Sequence, residues 1–193
     1  AVNRALYYSP GGPSNEIDSS RVLTNGKLID IRPNTRFVHF PRHTHSFVEF
    51  IYMCSGQTTH FVDGQKIVLK QGDLLFMNQH ATQEILPASM NDIGVNFMIL
   101  PAFFDRTFQM MGNRDNALRD FIISCLTDTN RGGNYLYFQV ADVLPVQNLV
   151  ENLIWLQLFG EKDRRLLSQN TMALLFLSLM NYTDKIHMAK SSW

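Results

Sequence analysis

Hydrophobic and polar residues along the first hundred positions alternate in short bursts, the pattern of half-buried strands. Segments 27–31, 36–40, 47–54, 58–62, 66–69, 74–77, 82–86 and 94–100 each read as a strand. Asp63-Gly64 between the fourth and fifth is a type I′ hairpin signal, and Gln71-Gly72-Asp73 supplies another turn. Evenly spaced strands separated by turn residues predict a sandwich or barrel of the jelly-roll kind. After Pro101 the period changes to that of helices. Segments 101–111 and 115–127 read as helices, 135–140 as a strand or extended strap, and two longer helices follow from Pro145 and over 164–186. Val146, Leu149, Val150, Leu153 and Ile154 make one apolar stripe, while Trp155, Leu156 and Phe159 lie off it. The last helix is apolar nearly all round, which one barrel cannot cover. A symmetric dimer through Leu153, Trp155, Leu156, Leu175 and Leu179 is therefore expected.

The chemistry concentrates in His43-Thr-His45-Ser-Phe47-Val-Glu49-Phe-Ile51-Tyr-Met53-Cys-Ser-Gly56. Successive strand residues point to opposite faces, so His43, His45, Phe47, Glu49, Ile51 and Met53 all face one way. Two imidazoles and a carboxylate then converge on one side of a strand that Gly56 ends.

Composition narrows what such a wall could serve. In 193 residues, 45% hydrophobic, a sizeable core can be buried. Seventeen basic residues balance seventeen acidic ones with no basic stripe, so this piece carries no footprint for nucleic acid or anionic lipid. Cys54 and Cys125 lack metal or redox spacing and suit a reducing cytoplasm. The N-terminus shows no basic segment followed by an apolar run, and the stretch 172–180 is too short to cross a bilayer, so no membrane partner is expected. Residues 1–24 read as an irregular arm around Pro10-Gly-Gly-Pro13, with Leu6, Tyr7 and Tyr8 available to pack over a barrel mouth.

The spacing H-x-H-x3-E-x6-G resembles the first motif of the cupin superfamily, whose barrels carry these groups inside. Phe37 stands where cupins usually have a glycine. In the second motif, Gly72-Asp73-Leu-Leu-Phe-Met-Asn78-Gln-His80-Ala-Thr-Gln83, Asn78 replaces a proline, His80 a glycine, and Gln83 stands at the fourth metal ligand of a cupin enzyme. With helices behind such a barrel, the chain resembles the N-terminal sensing domain of AraC/XylS-type bacterial transcription regulators. That resemblance implies a cupin-like jelly roll over 25–100, a helical dimerisation segment over 101–190, and a helix-turn-helix DNA-binding domain absent from this chain. It also implies a small effector, such as a carbohydrate by composition of the wall, bound by His43, His45, Phe47, Glu49, Ile51, His80 and Gln83, with adjacency of Gln83 to the His43 strand. A homodimer, cytoplasmic location, and promoter contact only through the missing domain belong to the same expectation.

Three uses of the wall stay open on chemistry. His43, His45 and Glu49 could hold zinc, iron or manganese, as in an isomerase or dioxygenase cupin, although a fourth imidazole is missing. The same groups could hydrogen-bond a polar effector between apolar faces of Phe47, Ile51, Met53 and Phe97. Or they could bond only one another and set strand register. The effector reading is preferred, with no cofactor and no catalytic residues. His39, His60 and His187 read as surface or internally satisfied side chains.

Overall fold

The computed structural model describes residues 15–127, 129 and 133–188. Among them eleven strands form two sheets. The smaller runs β1 (Glu16–Ile17), β3 (Phe40–His45), β8 (Gln83–Ile85), β5 (Gln57–Val62), β6 (Gln65–Lys70). The larger runs β11 (Ile186–Met188), β10 (Tyr135–Phe138), β7 (Leu74–Met77), β4 (Val48–Ser55), β9 (Ile93–Ile99), β2 (Ile29–Pro33). The helices are α1 (Ser19–Val22), α2 (Asp105–Met111), α3 (Ala117–Leu126), α4 (Leu144–Phe159) and α5 (Arg164–Leu179). The class is the expected one, a mainly β jelly roll with C-terminal helices.

Strand β4 explains the architecture. Its first six residues are all buried, so neither face meets water. Val48, Phe50 and Tyr52 join a core shared with the helices, while Ile51 and Met53 join a second core inside the barrel. A strand covered on both faces reads as a nearly continuous apolar run, as this one does. On the helix side Phe50 stacks on Phe76, with ring centroids 4.1 Å apart and planes at 8°, and on Phe97 at 4.9 Å. Phe76 also meets the ring of Phe176 on α5 edge-on at 5.1 Å, and those of Phe121 and Phe138 at 6.4 and 6.3 Å. Phe97 therefore belongs to the helix interface, not to the cavity lining expected of it. In β9 the alternation hands the inward face to Asn96 and Met98, the register partners of Ile51 and Glu49.

Chain after residue 100 is not a mere appendage, because β10 pairs with β7 and β11 with β10 in the larger sheet. The Asp63-Gly64 turn has φ of 48° and 79°, the doubly positive pair that type I′ requires. The expected strand over 36–40 is instead a bend. Phe37, at the position where cupins place glycine, adopts φ 66° and leaves its ring 63% exposed. The backbone demand survives there although the glycine does not.

The helices correct the expected interface. Leu153, Leu175 and Leu179 are completely buried in the chain's own core, because the stripe Val146, Val150, Leu153 and the face Met172, Leu175, Phe176, Leu179 are what pack against the large sheet. They are not available to a partner. Leu156 is half-buried, and Trp155 is 65% exposed beside Phe159, with rings 4.5 Å apart. Leu158, Leu166, Leu167 and Leu174 are exposed as well. Among the described residues no helix is long and apolar enough to cross a membrane.

Phe76→Ala should lower unfolding free energy by about 3–5 kcal/mol, because that ring meets β4, β10, α3 and α5 at once; urea denaturation followed by far-UV circular dichroism measures it.

Candidate functional site

Residues 43 to 53 pass from one sheet into the other, since His43 and His45 end β3 and Glu49 lies in β4, with the crossing at Ser46-Phe47. Because the two-residue period carries through the corner, both imidazoles and the carboxylate face the interior, as the alternation predicts. All three are buried. Gly56 closes the motif at φ 68°, and a Cβ there would sit 2.9 Å from the Asn91 carbonyl oxygen.

The opposite wall arrives by pairing across the barrel. Gln83 on β8 is the register partner of His43 on one side and of Val62 on the other. Its amide nitrogen donates to Glu49 Oε2 at 2.9 Å, and its Oε1 lies 3.0 Å from His60 Nδ1. His60 Nε2 is 2.7 Å from the Thr58 hydroxyl. Asn96 Nδ2 donates to Glu49 Oε1 at 2.9 Å, and His45 Nε2 lies 3.2 Å from Glu49 Oε2. His43 Nδ1 stands 2.7 Å from the Pro41 carbonyl oxygen. The carboxylate is thus the end point of a relay from Thr58 through His60 and Gln83, with Asn96 as a further donor and the His45 imidazole beside it.

These partners assign the protons. A carbonyl oxygen only accepts, so His43 Nδ1 carries the hydrogen and Nε2 keeps a lone pair. His60 donates from Nδ1 to the Gln83 amide oxygen and accepts the Thr58 hydroxyl at Nε2. Burial holds the imidazoles neutral, pushing His45 down to about 3 and His43 and His60 to about 4. Burial likewise raises the Glu49 carboxyl above its ordinary value, against the pull of His43 and the Gln83 amide.

Beside this wall lies a narrow cavity that opens to solvent. His43, His45, Glu49 and Asn96 make its polar end; Phe40, Phe47, Met98 and Ile85 give it apolar sides. Ile17 and Val22, from the segment that precedes β2, cover one flank. That segment is anchored by β1, which runs parallel to β3 with Ile17 opposite His45, and by Ser19 N–H donating to the Ser46 hydroxyl at 2.7 Å. Leu6, Tyr7 and Tyr8, expected at the mouth, lie outside the described residues.

Of the residues expected to bind a ligand, His43, His45, Phe47 and Glu49 line the cavity, and Gln83 stands behind Glu49. Ile51 and His80 do not line it. Ile51 is one pleat deeper, packed with Leu75 and Met77. His80 lies in the turn after β7, where its N–H donates to Asn78 Oδ1 at 3.0 Å. Asn96 and His60 were not anticipated as members. A polar residue on the inward alternation of an apolar strand was their signal, for Asn96 between Gly94 and Met98 and for His60 between Thr58 and Val62. His39, by contrast, meets Glu84 at the surface at 2.7 Å, and His187 meets Gln139 at 2.9 Å.

For a metal, the set His43, His45 and Glu49 does not fit. Among the described residues no three His, Cys, Asp or Glu side chains are grouped to hold an ion. Both Glu49 oxygens accept amide hydrogens and His45 turns its Nε2 to the carboxylate, so the donors face one another and not a common point.

Residues 31–101 match the family model of the AraC-like ligand binding domain. No curated protein matches the chain. Among solved structures, an apo variant of ToxT from Vibrio cholerae strain SCE256 is similar in fold, with a TM-score of 0.50, 8% identity, 86% of this chain covered and 61% of that one. Wild-type ToxT of the same strain with an unsaturated fatty acid bound gives a TM-score of 0.49, 11% identity, and coverage of 82% and 54%. A cupin protein from Bacteroides fragilis gives 0.30 and 29% identity, covering 36% of this chain and 61% of that one. The chain spans less than two thirds of the ToxT chains it matches.

Neutral buried histidines make stability depend on acid. Their folded values, about 3 and about 4, lie below the unfolded value of 6.5, so the unfolded chain takes up protons first as pH falls. Stability is full above about pH 6.5 and declines toward pH 4, by about 1.4 kcal/mol per pH unit for each histidine. Glu49, raised in the folded state, has the opposite sign and offsets part of this. Urea midpoints should drop between pH 7.5 and 5, and His60→Gln should make the drop shallower; a flat profile would contradict the burial of all three.

Proposed function

We propose that this chain, whose residues 31–101 are an AraC-like ligand binding domain, is the effector-sensing and dimerisation part of a bacterial transcription regulator, not an enzyme. The observation that carries the reading is a cavity within the matched segment whose polar end is built from buried side chains while its sides are apolar. Pockets of that make-up bind small molecules, with the few polar groups fixing orientation. The effector is a small polar molecule with apolar faces, a class that includes sugars. Hydroxyls would be accepted by Glu49 and His43, and C–H faces would lie on Phe40 and Phe47. Ile17 and Val22 couple occupancy of the cavity to the N-terminal segment. In this reading promoter DNA is contacted by a separate helix-turn-helix domain, and the protein works in the cytoplasm.

The helices supply the second half of the proposal. Trp155, Leu158, Phe159, Leu166 and Leu167 are each roughly half or more exposed and sit on the two helices that flank the α4–α5 turn. A contiguous apolar patch of this kind marks an interaction surface, and in a homodimer it would be isologous. Tyr52 of β4 donates to Gln147 of α4 at 2.9 Å, so the strand bearing Glu49 is tied directly to the first of these helices.

Calorimetry against a panel of sugars and small metabolites should yield at least one that binds and raises the melting temperature, and Phe47→Asp should abolish that binding. Light scattering should give the mass of two chains for the wild type and of one for the double variant Trp155→Asp with Leu167→Asp, a folded monomer by circular dichroism; an unchanged mass would remove the dimer.

A further inference from the structure

Glu49 is 4% exposed, and among the described residues the basic side chain within ion-pair reach of it is His45. That imidazole is enclosed with it and supplies one N–H but no lasting positive charge. His43 spends its own hydrogen on the Pro41 carbonyl oxygen. The carboxyl is bonded by the Gln83 and Asn96 amides, and with no Lys or Arg of the described residues in ion-pair reach its burial raises its pKa, so an entering cation would stabilise the charged form. A buried ion costs several kcal/mol unless it is paired. Arg32 lines the same cavity, but from the edge strand β2, where it is the register partner of Asn96.

The polar end is also one-sided in hydrogen bonding. Glu49 receives hydrogens from Gln83 and Asn96, with the His45 imidazole 3.2 Å from Oε2, so acceptor positions of the carboxylate remain unfilled. His43 Nε2 retains its lone pair. The Asn96 amide is oriented by donating Nδ2 to Glu49, which leaves Oδ1 as a buried acceptor with no partner. At this end of the cavity the acceptors outnumber the free hydrogens, since the N–H groups of Gln83, Asn96 and His43 that bond here are already committed. A carboxylate or phosphate would set lone pair against lone pair. A primary ammonium brings three N–H groups and the missing positive charge. Phe40, Phe47, Ile85 and Met98, with Ile17 and Val22 across from them, then suit an apolar body.

We infer that the effector is a small primary amine whose ammonium group is held by Glu49, Asn96 and His43 and whose alkyl or aryl body fills the apolar side of the cavity. The inference rests on reading the barrel as an effector pocket and narrows that reading to one chemical class. Neutral sugars would satisfy the acceptors but leave Glu49 without a counter-charge.

The test compares head groups on constant bodies at pH 7.5: phenethylamine, 2-phenylethanol and phenylacetate, then hexylamine, hexan-1-ol and hexanoate, with glucose as a neutral polyol. Titration calorimetry and melting-temperature shifts should rank each amine at least tenfold tighter than its alcohol, with no binding of the carboxylates. Glu49→Gln should bring amine and alcohol to equal affinity. Alcohols or glucose binding as tightly as the amines, or the carboxylates binding at all, would overturn the cationic head group while leaving the effector pocket intact. Failure of every probe, together with failure of the wider sugar and metabolite panel, would overturn both.

Discussion

Strand β4 has no solvent face, and everything else in the molecule answers to that constraint. One side of it is a stack of three phenylalanine rings, Phe50 between Phe76 and Phe97, on which the helices rest. Its other side carries Glu49 into the barrel next to Ile51 and Met53. A carboxylate is tolerated at such a place only if its oxygens are hydrogen-bonded. Its neighbour β9 and, from the other sheet, β8 each bring an amide to do this, and the corner from β3 places an imidazole 3.2 Å away. Packing on one face and polar satisfaction on the other are thus set by the same eight residues.

That arrangement separates the chain from an ion-holding cupin while keeping the barrel. In a metal site, imidazoles and a carboxylate aim lone pairs at one point. Here hydrogens lie between them: Gln83 and Asn96 donate to Glu49, and His43 is anchored to the backbone at Pro41. The substitution of Gln83 at the position of a fourth ligand is decisive because an amide can both donate to the carboxylate and accept from His60, joining the two sheets through one side chain. The result is a buried polar wall, hydrogen-bonded within itself, beside a cavity.

Hydrogen bonding also links β4 to the helices. Gln147 accepts from Tyr52 and donates to the carbonyl oxygens of Gly72 and Val140, so α4 is pinned to one end of the adjacent strands β4, β7 and β10. Strand β4 and helix α4 are thus joined both by this hydrogen-bond set and by packing in one core, and close-packed interiors transmit strain. On the flank opposite, β1 and α1 are held to β3 by backbone pairing and by Ser19 to Ser46. Cavity, N-terminal segment and helical face therefore form one mechanically continuous unit.

The two-residue period alone determined that His43, His45, Phe47, Glu49, Ile51 and Met53 share a face, because strand geometry leaves no choice once the run is extended. Asp63-Gly64 likewise determined its hairpin, since few residue pairs accept two positive φ values. Local pattern also located α4 and the start of α5, although the helix expected to run to 186 ends at Leu179, and Ile186 opens strand β11. What it could not determine was partnership at a distance. Whether the inward residue of β9 was Phe97 or Asn96 depended on register with β4, and a one-residue slip exchanges the faces. That His60 joins the site while His80 does not depended on how β8 lies between β3 and β5. Which leucines of α4 and α5 were left exposed depended on which side of each helix the sheet took, and two helices with apolar residues on several sides fit the periodic signal in more than one rotation. Only the folded arrangement, in which Phe76 and Phe176 meet, chose among them.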